Sequence, residues 1–250
     1  MLGENYIVQS PDDGNANLAW IANKKKIISR WVLDVDVPFL MALDIPSFRL
    51  EFLNDQLGLL DHCDLDGKMK SDVFEWMKGV LRKFGLNHEM LKPIEHYEVP
   101  EHAVDCGNPF RKPAVSLLQT WSDIRTNANL TLEWLNEYTG VDAEIRIWPH
   151  HFDTGVYYPF GSEKAIGAGL AIADSLSETP YFYIYGRSAD NSIDLSAVPE
   201  LKSGLWLKKD WQGALLSIEK LASLPDQEKT VLQFLHTSSD FYKGVLGING

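Results

Sequence analysis

The residue types best suited to chemistry gather in one stretch, Trp148-Pro149-His150-His151-Phe152-Asp153-Thr154-Gly155. Two imidazoles and a carboxylate in such close succession can hold and transfer a proton near neutral pH. In extended backbone the side chains alternate between faces, so His151 and Asp153 share one face, about 6–7 Å apart at Cα. From there the carboxylate can orient the imidazole as a general base requires. Pro149 cannot donate a ladder hydrogen bond, so the strand either runs at an edge or bends there, with the histidines at the bend. Three readings of His150, His151 and Asp153 stand side by side: catalytic or ligand-binding groups, turn-capping groups bonded to backbone, or metal ligands. In the last, the set is completed from His96, His102 or Asp174.

Downstream lies Gly167-Ala168-Gly169-Leu170-Ala171-Ile172-Ala173-Asp174. It lacks the third glycine of a dinucleotide-binding loop, so no nucleotide cofactor is assigned to it. As a strand it has one face of small residues, Gly167, Gly169, Ala171 and Ala173, which lets a helix, a large side chain or a ligand approach the backbone. Tyr181, Tyr183 and Tyr185 alternate with Phe182, Ile184 and Gly186, so three phenols line one face of the next strand. They either fill the space over the small residues or form a pocket wall. Arg125 and Asn129, four apart on a helix, share a surface, and Arg125 is a candidate anion anchor. The candidate ligand contacts are therefore Arg125, Asn129, Tyr181, Tyr183 and Asp174.

The elements that must position these groups follow from periodicity. Apolar residues at helical spacing predict helices over 70–84, 114–138 and 226–243, with a weaker one over 15–28. In the second, Leu117, Trp121, Ile124, Ala128, Leu135 and Tyr138 form the expected inward stripe, and Gly140 supplies the stop. Strands are expected over 39–45, 47–53 and 56–61, then over 143–153, 165–173, 181–186 and 205–208. Strands grouped between helices predict an α+β fold with a largely antiparallel sheet and three to four packed helices. The whole chain, 1–250, reads as one unit, and the element order allows two similar α-β-α halves, 1–110 and 111–250. The segment Pro100–Pro113 breaks periodicity between them.

Composition narrows the function classes. A net charge of −12 over 250 residues repels phosphate backbones, which argues against nucleic-acid binding. Lys24-Lys25-Lys26 is the one basic cluster, read as a solvated face or a phosphate contact. Two cysteines, Cys63 and Cys106, have no metal-ligand spacing and suit free thiols in a cytoplasmic protein. The start, Met1-Leu2-Gly3-Glu4-Asn5-Tyr6, lacks a basic region followed by an apolar run, and no stretch reaches 18 uninterrupted apolar residues. Neither secretion nor a membrane partner is expected.

Phe152-Asp153, Tyr181-Phe182-Tyr183 and Phe234-Leu235 together resemble a bacterial family of unassigned function. The likeness reaches back over Phe48–Gly85, and it implies a shared fold with no reaction attached. The double histidine and Thr154-Gly155 depart from the family's pattern. The leading functional expectation is a small-molecule-binding protein, enzymatic or not, built around His150, His151 and Asp153. The alternative is an interaction protein whose exposed aromatics contact a partner or a second copy. Metal-dependent hydrolysis ranks third. No cofactor and no oligomeric state is assigned.

Overall fold

Asp72 reaches back to accept the backbone N–H of Met69 at 3.0 Å, and this starts the helix Lys70–Lys83. Gly85, at a left-handed φ of 73°, follows its end. The helix buries Val73, Met77, Val80 and Leu81, as its sequence period predicts, the last three against Phe39 and Phe52 and Val73 against Cys63 and Leu65. Asp226 likewise caps Gln227–Val245 by accepting the Lys229 N–H at 3.2 Å.

The structure is a computed structural model that describes residues 1–10, 13–92, 101–190 and 193–248. Among these residues the chain is an α+β protein with two antiparallel sheets. The helices are α1 (Leu2–Tyr6), α2 (Lys70–Lys83), α3 (Val115–Thr139), α4 (Ile218–Ala222) and α5 (Gln227–Val245). The first sheet is a meander in chain order: β1 (Ala19–Ile21), β2 (Lys26–Ile28), β3 (Phe39–Asp44), β4 (Arg49–Asn54) and β5 (Leu59–Asp64). The second comprises β6 (Arg146–Trp148), β7 (Asp153–Phe160), β8 (Lys164–Ala171), β9 (Tyr181–Ser188), β10 (Leu205–Lys209) and β11 (Trp211–Ser217). Its spatial order is β10-β11-β9-β8-β7-β6. No helix among the described residues is long and apolar enough to cross a membrane.

The chain divides into two units, Met1–Thr126 with Ile147–His150, and Asn127–Arg146 with His151–Gly250. In the first, α2 covers one face of the meander through an aromatic cluster in which Phe39 and Phe52 lie 5.3 Å apart, with Phe84 5.1 Å from Phe39. In the second, α5 packs on β9 and β11 and buries Val231, Phe234, Leu235 and Tyr242. Tyr242 occupies the space that a side chain at position 186 would need, which is why Gly186 stands there.

Three expectations are corrected. Residues 15–28 do not form a helix: β1 and β2 pair there around a tight turn, with Trp20 opposite Ile27 and Lys25 left-handed at φ 51°. Aromatic and β-branched residues on either side of a lysine-rich tip favour a hairpin over a helix. Lys26 is no solvated cation, since it bonds Asp44 at 2.6 Å and also Glu51, which is only 1% exposed. In α3 the inward stripe is rotated from the expected one. Leu117 and Tyr138 are exposed, while Ser122, Arg125, Ala128, Thr131, Leu132 and Leu135 are buried. Two strand positions, 154–160 and 211–217, carry ladders that periodicity did not reveal.

Candidate functional site

The ladder of the second sheet brings the glycines and the tyrosines together. Across β7 and β8, Gly155 faces Gly169; across β8 and β9, Gly169 faces Tyr183, Gly167 faces Tyr185 and Ala171 faces Tyr181. Leu215 of β11 faces Tyr183 on its other side. Because side chains alternate with a period of two, Asp153, Gly155, Gly167, Gly169, Tyr181, Tyr183, Tyr185, Gly213 and Leu215 share one face. This is the face opposite Phe182, Ile184, Ala214 and Leu216. The antiparallel neighbours and the small-against-bulky pairing are those the sequence predicts.

The tyrosine rings lie over the glycines. A Cβ at Gly169 would stand 2.7 Å from the Tyr183 hydroxyl oxygen, and one at Gly155 would stand 2.9 Å from the same atom. A Cβ at Gly167 would collide with the Tyr185 ring itself. Tyr183 therefore crosses β8 and donates its hydroxyl hydrogen to Asp153 Oδ2 on β7. Tyr181, in the same row, donates to Asp174 Oδ2 at 2.7 Å, and Asp174 Oδ1 accepts the Leu176 N–H at 2.8 Å.

The rings of Tyr183 and Tyr185 are 6.2 Å apart and only 24° from parallel. Trp211, on β11, stands 6.4 Å from each, at 86° to Tyr183 and 66° to Tyr185. The indole is thus steeply inclined to two near-parallel phenol rings. All three are half-buried, whereas Asp153 and Tyr181 are buried.

Electrostatics fix the protonation of these phenols. Burial, reinforced by the charge of Asp153 and the hydrogen bond to it, pushes the Tyr183 hydroxyl well above its ordinary pKa. Burial and the bond to Asp174 do the same for Tyr181. Tyr185 is raised by burial first, then by Tyr157 and Asp153, while Arg187 works in the opposite direction. All three are neutral near pH 7, and the hydroxyl hydrogens of Tyr181 and Tyr183 are committed to carboxylates.

The remaining candidates distribute as follows. His150 and His151 sit in the turn between β6 and β7, ahead of Phe152 at a left-handed φ of 54°. His150 is half-buried and makes an edge contact with Trp148 at 6.3 Å, and His151 is exposed. The bend that Pro149 implies is therefore present, and Asp153 begins the strand after it. Arg125 is 2% exposed, with its guanidinium 4.7 Å from the Trp121 ring centroid, so it lies inside the fold rather than on a solvated helix face. Asn129 is half-buried, and its Oδ1 has no hydrogen-bond partner among the described residues. His102 gives its backbone N–H to Asp105 at 2.9 Å, and His96, with its neighbours Glu95 and Tyr97, lies outside the described residues. Among the described residues no three His, Cys, Asp or Glu side chains are placed to hold a metal ion.

Trp211 and the glycine at position 155, beneath the Tyr183 hydroxyl, are the members of this face that the sequence does not single out. Trp211 belongs to a strand whose apolar run, Ala214-Leu215-Leu216, is short, and the one-residue turn at Asp210, with φ 59°, hides it behind Lys208 and Lys209. Gly155 was visible only as part of the histidine segment. The signal that could have found it is its separation from Gly167 and Gly169, which suits a hairpin placing glycine opposite glycine.

No family model matches the chain, and neither a curated protein nor a solved structure matches it.

Proposed function

We propose that the protein binds a small organic molecule on the aromatic face of the β7–β8–β9–β11 sheet, with Tyr183, Tyr185 and Trp211 as the contact surface and Asp153 as its polar anchor. The observation that carries this reading is the path of Tyr183, laid over Gly169 with its hydroxyl held on Asp153. Binding sites combine apolar and aromatic area with a few fixed polar groups, and this face has both. Glycine at 155, 167 and 169 leaves the room over β7 and β8 that the Tyr183 and Tyr185 side chains occupy. In this reading Asp174 and Tyr181 extend the site along β9, and His150 and His151 stand in the turn that leads into Asp153. The net charge of −12 favours a small ligand over nucleic acid. The free thiols Cys63 and Cys106 suit a cytoplasmic location.

Ligand-observed NMR with a library of small aromatic and polar fragments tests the proposal. Fragments should bind the wild-type protein and lose binding to Trp211→Leu, with the circular dichroism spectrum unchanged. A library with no binder, or binders indifferent to Trp211→Leu and Tyr185→Leu alike, overturns it.

A further inference from the structure

We infer that Tyr138, His236 and Asp240 form a pH-operated latch between the last turn of α3 and α5, closed while His236 is neutral and opened by its protonation. The latch belongs to the α5 side of the second unit and needs no ligand on the aromatic face.

The imidazole of His236 lies flat on the Tyr138 ring, with centroids 3.6 Å apart and planes 8° from parallel. Tyr138 is 40% exposed and His236 is half-buried, so the phenol is the outer layer of the pair. The Tyr138 hydroxyl donates to Asp240 Oδ2 at 2.7 Å, one helical turn beyond His236 on α5. A single side chain of α3 thus grips two successive turns of α5, by its ring face and by its hydroxyl. Beneath it, His236 Nε2 is buried and has no hydrogen-bond partner.

A neutral imidazole carries one N–H, whereas the imidazolium carries one on each nitrogen. Protonation therefore shuts a charged donor in at Nε2 with nothing to accept it. The Tyr138 π-face, from α3, and the Asp240 carboxylate, from α5, favour the cation. One is an exposed ring and the other an exposed i,i+4 neighbour, and both effects are weaker than the loss at an enclosed charged donor. Lys243, whose Nζ is 5.6 Å from the Tyr138 centroid, opposes a second positive charge. Burial accordingly holds the His236 pKa below its ordinary value, with Asp240 pulling the other way. The closed latch is at full strength above the ordinary histidine value of about 6.5 and weakens as pH falls below it. A ring that swings out to take its proton breaks the stack and frees Tyr138 from Asp240. The release is local, because Asn136 on α3 still accepts the Tyr158 hydroxyl at 2.7 Å and donates to the Ala143 carbonyl at 2.8 Å.

The test is an NMR titration of the full chain between about pH 8 and pH 5, following the His236 Cε1–H and the Tyr138 ring protons. His236 should titrate below about 6.5, and the Tyr138 ring protons should lose their ring-current shift along the same curve. His236→Phe keeps a ring to stack but gains no proton, so Tyr138 should become insensitive to pH over this range. Tyr138→Leu, at an exposed position, should raise the His236 pKa, because the stacked ring no longer encloses it. His236 titrating at or above its ordinary value, or titrating while the Tyr138 signals stay still, overturns the latch. So does a Tyr138 response that survives in His236→Phe. Should His236→Phe fail to fold, Tyr138→Leu decides, and an unchanged His236 pKa in that variant overturns the inference.

Discussion

Tyr183 on β9 hydrogen-bonds Asp153 on β7 across the whole width of β8, a reach that glycine at positions 169 and 155 makes possible. The consequence for stability is direct. A Cβ at position 169 would come 2.7 Å from the Tyr183 hydroxyl and 2.9 Å from the Gly155 Cα, with the Thr154 carbonyl closer still. Two of these neighbours are backbone and cannot swing aside. Gly169→Val should destabilise the protein by about 1–3 kcal/mol, measured by urea unfolding. An unchanged midpoint would mean that the tyrosines do not lie over this strand.

Removing the hydroxyl alone separates the hydrogen bond from the packing. Tyr183→Phe keeps the ring but takes a donor away from the buried Asp153 carboxylate, at a cost of about 1–3 kcal/mol. Tyr185→Phe, whose hydroxyl is not the one placed on Asp153, should cost measurably less. Equal losses in the two variants would show that the Asp153 bond has no special weight.

The same environment governs alkaline behaviour. Tyr158, Tyr181, Tyr183, Tyr185 and Tyr242 are all pushed above the ordinary phenol pKa, chiefly by burial, and Tyr138 is pushed up to about 12 by burial and Asp240. A pKa raised in the folded state means the native protein holds these protons more tightly than the unfolded chain. The linked stability is complete below the unfolded value of about 10 and is lost as pH climbs through the folded values. Absorbance at 295 nm should therefore show most of the nine tyrosines still protonated at pH 11 and ionising together with unfolding. A single reversible wave near pH 10 with the fold intact would contradict this.

Much of this arrangement is legible in the residues themselves. The alternation in Tyr181–Gly186 and the small face of Gly167–Ala173 predict both strands, their antiparallel pairing and the glycine-to-tyrosine contact. Helix caps at Asp72 and Asp226, with apolar residues at helical spacing, place α2 and α5 to within a residue or two. What could not be read is the partner two strands away. The proximity of Asp153 to His151 is visible in the sequence, whereas its hydrogen bond from Tyr183, two strands away, is not. Arg125 likewise reads as solvent-facing on charge alone. Its burial depends on the Trp121 ring and on the rotation of α3, both set by tertiary packing.

In the first unit, Glu51 is 1% exposed and is held by Lys26 and by Arg49, the latter at 2.7 Å. Lys26→Met removes one partner from a buried carboxylate and should cost roughly 3 kcal/mol, with Arg49 limiting the loss. Asp44 makes the same cluster acid-sensitive. Burial opposes its charge, but the bonds from Lys26 and Ser47 prevail and hold its carboxyl below the usual range. A lowered folded pKa gives stability that is complete above the unfolded value of about 3.9 and is lost as pH falls through the folded one. Urea midpoints should drop below pH 4, and less steeply in Asp44→Asn. The same slope in both proteins would remove Asp44 from the explanation.

The binding claim is tested most directly by mapping a fragment hit onto the protein with ¹H–¹⁵N correlation spectra. Shifts should cluster at Asp153–Gly155, Gly167–Ala171, Tyr181–Tyr185 and Trp211–Gly213, and they should disappear in Trp211→Leu. Shifts confined to the cleft of Leu201, Lys202, Ser203, Gln233, Phe234 and Thr237 on the α5 side would contradict the account, because that cleft shares no side chain with the aromatic face.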